Sequence, residues 1–304
     1  PYYHCVSRCV RRSFLCGYDL QQNQCFEHRR GWIEERIFKL TQVFCIDVCA
    51  YAIMSNHYHV VLHINVEHEK ALSDEEICDR WLSFHTPPVL IQKWLKQDAL
   101  SDAEEVKIHE IIDMWRERLT SISWFMRLLN QFIATQANKE DGCTGHFWEG
   151  RFKSQALLDE QALAAAMAYV DLNPVRANMA DTPETSEYTS VKGRIQALKN
   201  NKASAPCLHP FVGYPRKDIP SGIPFRLMDY LELVDWTGRQ IREDKRGSIN
   251  SALPSILNRL GIDQATWMSA CTQLEQGTVV GCETTIKYVM PKQNRKRKTG
   301  LRVT

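Results

Sequence analysis

The chain has 304 residues, a net charge of +2, 44% hydrophobic and 24% charged residues, a composition typical of a globular protein with one or two domains. Its 11 cysteines form no C-x-x-C pair, and their odd number argues against both a disulfide framework and a zinc ribbon. No run of about 18 apolar residues is present, so no membrane partner is expected. Reduced thiols and the lack of a visible signal peptide predict a cytoplasmic location.

The first half of the chain predicts a strand, a helix and a hairpin. Residues 2–10 have strand composition, and 26–44 carry apolar side chains at helical spacing. Residues 45–54 and 57–64 are both predicted strands. Because only a Ser-Asn pair separates them, we expect a β-hairpin.

The next segments complete one domain. Residues 66–119 are predicted to be a helical insertion of short helices, interrupted by two prolines. An amphipathic helix follows at 121–142, a strand at 151–158, and a helix at 159–174 that ends before a proline. This order predicts an α+β fold, a split βαβ arrangement in which an antiparallel sheet carries helices on one face.

The composition changes near residue 197. Residues 198–224 are rich in Pro, Ser, Gly and Lys and are predicted to be a linker, while 225–290 are expected to form a small helical module. The basic tail, 291–304, contains Arg295, Lys296, Arg297 and Lys298. Such a basic cluster on a nearly neutral chain favours contact with a polyanion, and a solvated terminus is the alternative.

Two histidines lie close together on the second hairpin strand. In "MSNHYHVVLHI", His57 and His59 are two residues apart, so they share one face of the strand while Tyr58 points to the other. Paired imidazoles can begin a metal site. The alternative is a pair of core-edge histidines that are hydrogen-bonded to the backbone.

A tyrosine and an amide lie together on the helix predicted at 159–174. Tyr169 falls outside the apolar stripe of this helix, among alanines, and Asn173 follows it by four residues on the same face. We therefore expect an exposed phenol. If the strand and the helix meet, His57, His59 and Asn173 form a three-ligand site for Mg²⁺ or Mn²⁺ beside the phenol, which could attack a phosphodiester that the metal has polarised.

The segments "MSNHYHVVLHI", "GHFWEGRFKS" and "YVDLNPVRA" resemble the REP-associated tyrosine transposases, which belong to the HUH superfamily of single-strand DNA endonucleases. The resemblance covers roughly residues 1–195. It implies that Tyr169 is the nucleophile and that His57, His59 and Asn173 are the metal ligands. It also implies a 5′-phosphotyrosine intermediate, a core of the ferredoxin type, and hairpin-forming DNA as the substrate.

Basic and aromatic residues around these motifs are candidates for DNA contact, because single-stranded DNA binds through stacking and charge. In "GHFWEGRFKS", the aromatic side chains Phe147 and Phe152 are expected to pack in the core. The predicted DNA-binding residues are Arg8, Arg11, Arg12, Trp148, Arg151, Lys153 and Arg176.

The sequence therefore predicts a metal-dependent DNA strand transferase that acts on single-stranded or hairpin DNA as a monomer or homodimer associated with the nucleoid. Two alternatives remain: an inactive DNA-binding protein of the same fold, and a hydrolytic nuclease that uses Asp171 as its general base. The predicted catalytic domain spans residues 1–197, and all four proposed site residues lie in it but outside the insertion at 66–119. The insertion and the C-terminal region are therefore expected to set target choice or assembly.

Overall fold

The computed structural model describes residues 1–10, 15–19, 23–214, 220–242, 254–277, 279–289 and 300–302. Arg11, Arg12 and the basic cluster 295–298 lie outside the described residues. The described strands are β1 (Tyr2–Arg8), β2 (Tyr18–Asp19), β3 (Gln24–Cys25), β4 (Ile46–Ile53), β5 (His57–Ile64), β6 (Lys153–Leu157), β7 (Val279–Gly281) and β8 (Gly300–Arg302).

The helices follow the predicted order. Two capping boxes, at Ser73 and Ser101, begin α3 and α5 in the segment predicted to be an insertion. The described helices are α1 (Arg29–Val43), α2 (Val66–Ala71), α3 (Asp74–Leu82), α4 (Val89–Leu95), α5 (Asp102–Leu119), α6 (Ile122–Glu140), α7 (Glu160–Asp171), α8 (Asn173–Arg176), α9 (Ser190–Lys199), α10 (Leu227–Ile241), α11 (Ser255–Leu260), α12 (Gln264–Gln273) and α13 (Glu283–Val289). None of the described helices is long and apolar enough to cross a bilayer.

The main sheet has six strands in the order β4-β5-β1-β6-β7-β8. The first four strands pair antiparallel, and β1 lies between β5 and β6 as the split βαβ arrangement requires. The C-terminal strands β7 and β8 extend this sheet with parallel pairing. The predicted α+β fold with its β4–β5 hairpin is therefore confirmed.

Helices cover both faces of this sheet, so the prediction of helices on one face is wrong for the whole molecule. Tyr58, Val60 and Leu62 of β5 pack in one core with α1, α6 and the helices of 66–119. Val61, which points the other way, belongs to a second core with α7, α10 and α12. Because apolar side chains line both sides of the central strands, each side needs its own cover.

Helix α7 is buried on all sides. Its five alanines from Ala162 to Ala168 are all 0% exposed, and the helix contacts β4 and β5 on one side and α10 and α12 on the other. Small side chains let the sheet and the C-terminal helices approach the helix closely. Asp159 caps its first turn by accepting a hydrogen bond from Ala162 N at 2.9 Å.

A buried carboxylate ties α7 to the segments that follow it. Asp171 is 0% exposed and accepts hydrogen bonds from Ser190 Oγ, from Val191 N at 3.0 Å and from Tyr230 Oη at 2.6 Å. Burial raises the pKa of this carboxyl group. The division into a catalytic domain, a linker and a helical module stays a prediction. In the structure, residues from all three predicted segments contribute to one buried core.

We expect Tyr230→Phe to destabilise the protein by about 1–3 kcal/mol, because it removes one donor to a fully buried acceptor without changing the ring. Urea unfolding measured by circular dichroism tests this expectation. Tyr18→Phe is the matched control, since Tyr18 is 51% exposed and its loss should cost less than about 0.5 kcal/mol. Equal effects of the two substitutions would contradict the anchoring role of Asp171.

Candidate metal and nucleophile site

The histidine pair lies at the start of β5, on the sheet face that α7 covers. In the β1–β5 ladder, His57 is opposite Arg8 and His59 is opposite Val6. The ring centroids of His57 and His59 are 4.8 Å apart, which confirms the prediction that both side chains lie on one face of the strand. Tyr58 is buried on the opposite side and donates a hydrogen bond to Asn130 Oδ1 at 2.5 Å.

A chain of hydrogen bonds fixes the tautomer of His59. Gln155 donates its amide N–H groups to the carbonyls of Leu274 and Gly277, so its Oε1 accepts from His4 Nδ1 at 2.7 Å. His4 Nε2 is then an acceptor, and His59 Nδ1 donates to it at 3.0 Å. This leaves His59 Nε2 with its lone pair, buried and without a hydrogen-bond partner among the described residues.

The lone pair of His59 faces a carboxylate. Glu275 Oε1, from the single turn of 3-10 helix that follows α12, lies 3.8 Å from His59 Nε2. Both atoms are acceptors, so neither can satisfy the other. One ligand atom from each of His57, His59 and Glu275 lies within 4.8 Å of the others. Two imidazole nitrogens and a carboxylate oxygen fit a divalent cation, and a cation would satisfy the orphaned Nε2.

Both histidines are held in the neutral form that a metal ligand needs. Burial, assisted by the Arg8 charge, lowers the pKa of His57 to about 4. Burial also lowers the pKa of His59 well below its usual value, and His4 contributes in the same direction. His57 Nδ1 donates to Asn56 Oδ1 at 2.5 Å, so its Nε2 carries the lone pair.

Tyr169 lies against this cluster. The sequence predicted an exposed phenol, but this side chain is buried. It is only 7% exposed, because α7 is covered on every side and a position off the apolar stripe is still buried. Its Oη donates to Glu275 Oε1 at 2.8 Å, and its ring meets His4 and His59 edge to face. Burial and the Glu275 carboxylate raise the pKa of Tyr169 to about 12 against the opposing effect of Arg176.

Asn173, the predicted third ligand, begins α8 just after the turn at Leu172. It is 8% exposed, and its Nδ2 has no partner among the described residues. Its role as a ligand stays a prediction. Glu275 is the residue that sequence reasoning missed, because no motif surrounds it and more than two hundred positions separate it from His59.

The predicted DNA-binding residues are dispersed. Trp148 donates its indole N–H to Asn130 O at 2.9 Å and packs on Tyr58, so it lies on the sheet face opposite to His59. Arg176 is engaged inside the site, where its guanidinium lies 3.7 Å from the centre of the Tyr169 ring and donates to Cys271 O. Their roles in DNA binding stay predictions.

Three of the predicted DNA-binding cations are exposed, and two of them, Arg8 and Lys153, lie near Glu275. Arg151 is exposed, and Arg8, whose side chain is 41% exposed, lies 4.0 Å from Glu275 Oε2. Lys153 is exposed beside a cavity of about 280 Å³ that is also lined by His4, Gln155 and Glu275. One cation, Lys153, and the Glu275 carboxylate therefore line the same cavity.

No protein-family model and no curated protein matches this sequence. Among solved structures, the chain is similar to one described as "Structure of the REP associates tyrosine transposase bound to a REP hairpin", with 11% identity. The match covers 74% of this chain and 90% of that chain, with a TM-score of 0.36. This similarity concerns the fold alone.

We expect His59→Ala and Glu275→Gln each to weaken Mn²⁺ binding by at least about 10-fold, because each removes one donor from the set. Isothermal titration calorimetry of the full chain measures this. Substitution of the exposed His146 by Ala is the control and should change nothing. If Asn173→Ala weakens binding while Glu275→Gln does not, the third ligand is the amide and the assignment of Glu275 is wrong.

Proposed function

We propose that this protein is a metal-dependent single-strand DNA endonuclease and strand transferase of the transposase type, with Tyr169 as its nucleophile. The observation that carries the proposal is the position of Glu275 Oε1. This one atom accepts the phenolic hydrogen bond at 2.8 Å and faces the orphaned nitrogen of His59 at 3.8 Å. A phenol, a carboxylate oxygen and an unpaired imidazole nitrogen therefore lie close together, which supports their proposed roles as nucleophile, proton acceptor and metal ligand.

The metal ligands in this proposal are His57, His59 and Glu275, with Asn173 as a further candidate. A bound Mg²⁺ or Mn²⁺ ion would polarise a phosphoryl oxygen of the DNA and orient the phosphodiester for attack. With two neutral imidazoles and a single carboxylate, the site with its ion would keep a net positive charge, which suits binding of an anionic phosphate.

The chain's own groups supply the proton transfer. Tyr169 is a neutral phenol at physiological pH, since its pKa is raised to about 12. As Oη forms a bond to phosphorus, its proton passes to Glu275 Oε1, while Oε2 of the same carboxylate would hold the ion. The bond from phosphorus to the 3′ oxygen breaks, and that oxygen leaves as a 3′-hydroxyl after taking a proton from solvent. The 5′-phosphotyrosine keeps a phosphodiester bond, so attack by a 3′-hydroxyl reverses the reaction and rejoins strands.

Arg176 stabilises the charge that develops on the attacking oxygen. Its guanidinium lies 3.7 Å from the centre of the Tyr169 ring and is held there by hydrogen bonds to Cys271 O at 2.8 Å and to Tyr169 O at 3.3 Å. A cation over the ring favours the phenolate over the phenol. This placement supports a role in catalysis for Arg176 in addition to, or in place of, a contact with the DNA backbone.

The DNA strand is proposed to approach over the exposed side chains of Lys153, which lines the cavity, and of Arg8 and Arg151. Cations in this position bind phosphates without reading sequence, so the choice of hairpin is left to other surfaces. Cytoplasmic location, association with the nucleoid and a monomeric or homodimeric state belong to the same proposal.

A hydrolytic nuclease is the second candidate, and the carboxylate beside the histidine pair favours it. Asp171 cannot be its base, because it is fully buried and bonded to Ser190, Val191 and Tyr230. Glu275 could instead activate a water molecule. The two reactions differ in whether a covalent adduct forms.

We expect Tyr169→Phe to abolish the covalent protein–DNA adduct while leaving DNA binding and folding nearly unchanged, since only the nucleophilic oxygen is lost. Denaturing gel electrophoresis with single-stranded hairpin oligonucleotides labelled on the 3′ side of the break detects the adduct. The reaction should require Mg²⁺ or Mn²⁺ and stop with EDTA.

The matched control for this experiment is Tyr18→Phe, an exposed tyrosine outside the site, which should form the adduct at the wild-type rate. Cleavage by Tyr169→Phe without any adduct would favour the hydrolytic nuclease. An adduct formed by Tyr169→Phe would identify another nucleophile and refute the assignment.

We expect Lys153→Ala to weaken binding of single-stranded DNA and to reduce the slope of log K against log salt by about 0.7, the value for one lost phosphate contact. Fluorescence anisotropy at several salt concentrations measures this. Lys107→Ala is the control, because Lys107 is an exposed lysine of α5, in the segment predicted as the insertion. Equal slopes for wild type and Lys153→Ala would exclude Lys153 from the DNA path.

A further inference from the structure

A second group of metal-ligating side chains lies at the other end of β5. Asp47 of β4 and His63 of β5 are direct partners in the antiparallel ladder, so their side chains share one sheet face. His63 Nδ1 lies 3.0 Å from Asp47 Oδ2. His209, from the segment after α9, completes the group with its Nδ1 at 3.3 Å from the same oxygen.

His209 is held in place by its backbone. Its N–H donates to Val48 O at 2.8 Å, and its carbonyl accepts from Arg194 Nη2 at 3.1 Å. The imidazole stacks on that of His63, with ring centroids 5.0 Å apart and planes inclined by 24°. Two independent parts of the chain therefore bring their imidazoles to one carboxylate.

The spacing of these atoms is that of ligands around a small tetrahedral cation. With metal–ligand bonds of 2.0–2.1 Å, tetrahedral geometry places neighbouring ligand atoms roughly 3.3 Å apart. The two measured separations from Asp47 Oδ2 are 3.0 and 3.3 Å, and a ligand atom from each of the three residues lies within 4.8 Å of the others. The site needs little rearrangement to close around an ion.

The polar groups of this cluster are not fully satisfied by protein. Asp47 Oδ2 has three nitrogen neighbours, the two imidazoles and Asn65 Nδ2 at 3.1 Å, which crowds the lone pairs of a single oxygen. The side chain of His209 is 3% exposed, and its Nε2 has no hydrogen-bond partner among the described residues. Because Nε2 lies across the ring from the Nδ1 that faces Asp47, an ion at Nδ1 would not pair it, and the crowding at Asp47 Oδ2 is the observation that favours an ion.

We propose that Asp47, His63 and His209 bind a divalent cation of the zinc class. The donor types are those of the first site, but the nitrogen–oxygen separations are 3.0 and 3.3 Å instead of 3.8 Å, and this closer spacing suits tetrahedral Zn²⁺. The side chains of Asp47 and His63 are 26% and 16% exposed, which leaves a fourth position for water. The ion fastens the segment around His209 to β4, the edge strand of the sheet.

This site is independent of the proposed function. His63 follows His59 by four residues on the same strand, so roughly 13 Å of β5 separates the two sites. Neither the tyrosine nor the DNA contacts proposed above enter the argument.

The test uses the full chain with His57→Ala and His59→Ala, which removes the first site. This protein should bind one equivalent of Zn²⁺ in competition with a chromogenic chelator. Co²⁺ should give the visible absorption of a tetrahedral complex. Zn²⁺ should also raise the midpoint of thermal unfolding, because it binds the folded state.

Adding Asp47→Asn, which keeps the size of the side chain but removes its charge, should weaken Zn²⁺ binding by at least about 10-fold and eliminate the Co²⁺ spectrum. His209→Ala should do the same, and the control His146→Ala, at an exposed histidine, should change neither property.

If the protein with His57→Ala and His59→Ala does not fold, the substitution is made in the otherwise unchanged chain. There Asp47→Asn should bind one equivalent of Zn²⁺ fewer than wild type. Unchanged affinity in Asp47→Asn and His209→Ala, or no Zn²⁺ binding in the background protein, would mean that the three residues form only a hydrogen-bonded cluster and would overturn the proposal.

Discussion

The burial of α7 between the sheet and the C-terminal helices is the constraint on which the rest of the structure depends. Its alanines allow close approach on both sides, and Asp171 fixes its C-terminal end by accepting hydrogen bonds from Ser190, Val191 and Tyr230. Because the helix is enclosed, Tyr169 meets histidines of the sheet on one side and Glu275 on the other. The phenol is therefore neutral, buried and hydrogen-bonded to Glu275.

The geometry around His57 and His59 depends on a residue of another strand, Gln155. Gln155 of β6 binds the carbonyls of Leu274 and Gly277 with its amide N–H groups and His4 with its oxygen. That one side chain positions the segment that carries Glu275 and selects the tautomer of His59. A sequence change at Gln155 would thus alter both sides of the proposed metal site, although Gln155 itself contributes no ligand.

Strand β5 carries histidines on a single face at both of its ends, and the two ends differ in their surroundings. His57 and His59 lie close to the carboxylate of Glu275, and His59 also contacts the ring of Tyr169; the proposed phosphate chemistry depends on this arrangement. His63 meets Asp47 and a second imidazole at the sheet edge, which suits a structural ion that joins two segments. Buried Val61 lies between the two groups on the same face of the strand.

The sequence by itself determined what depends on local pattern. Strand alternation placed His57 and His59 on one face and Tyr58 on the other, and the two-residue gap at Ser55 and Asn56 specified the β4–β5 hairpin. Tertiary structure decided what depends on contacts between distant segments. The helical wheel of α7 placed Tyr169 outside the apolar stripe of the helix. Whether such a position is exposed depends on what packs against that side of the helix. Here Tyr169 shares a buried core with residues of α10 and α12. Glu275, His209 and the tautomer of His59 could not be read from sequence, because each acquires its role only when segments far apart in the chain bring lone pairs and N–H groups within hydrogen-bonding distance.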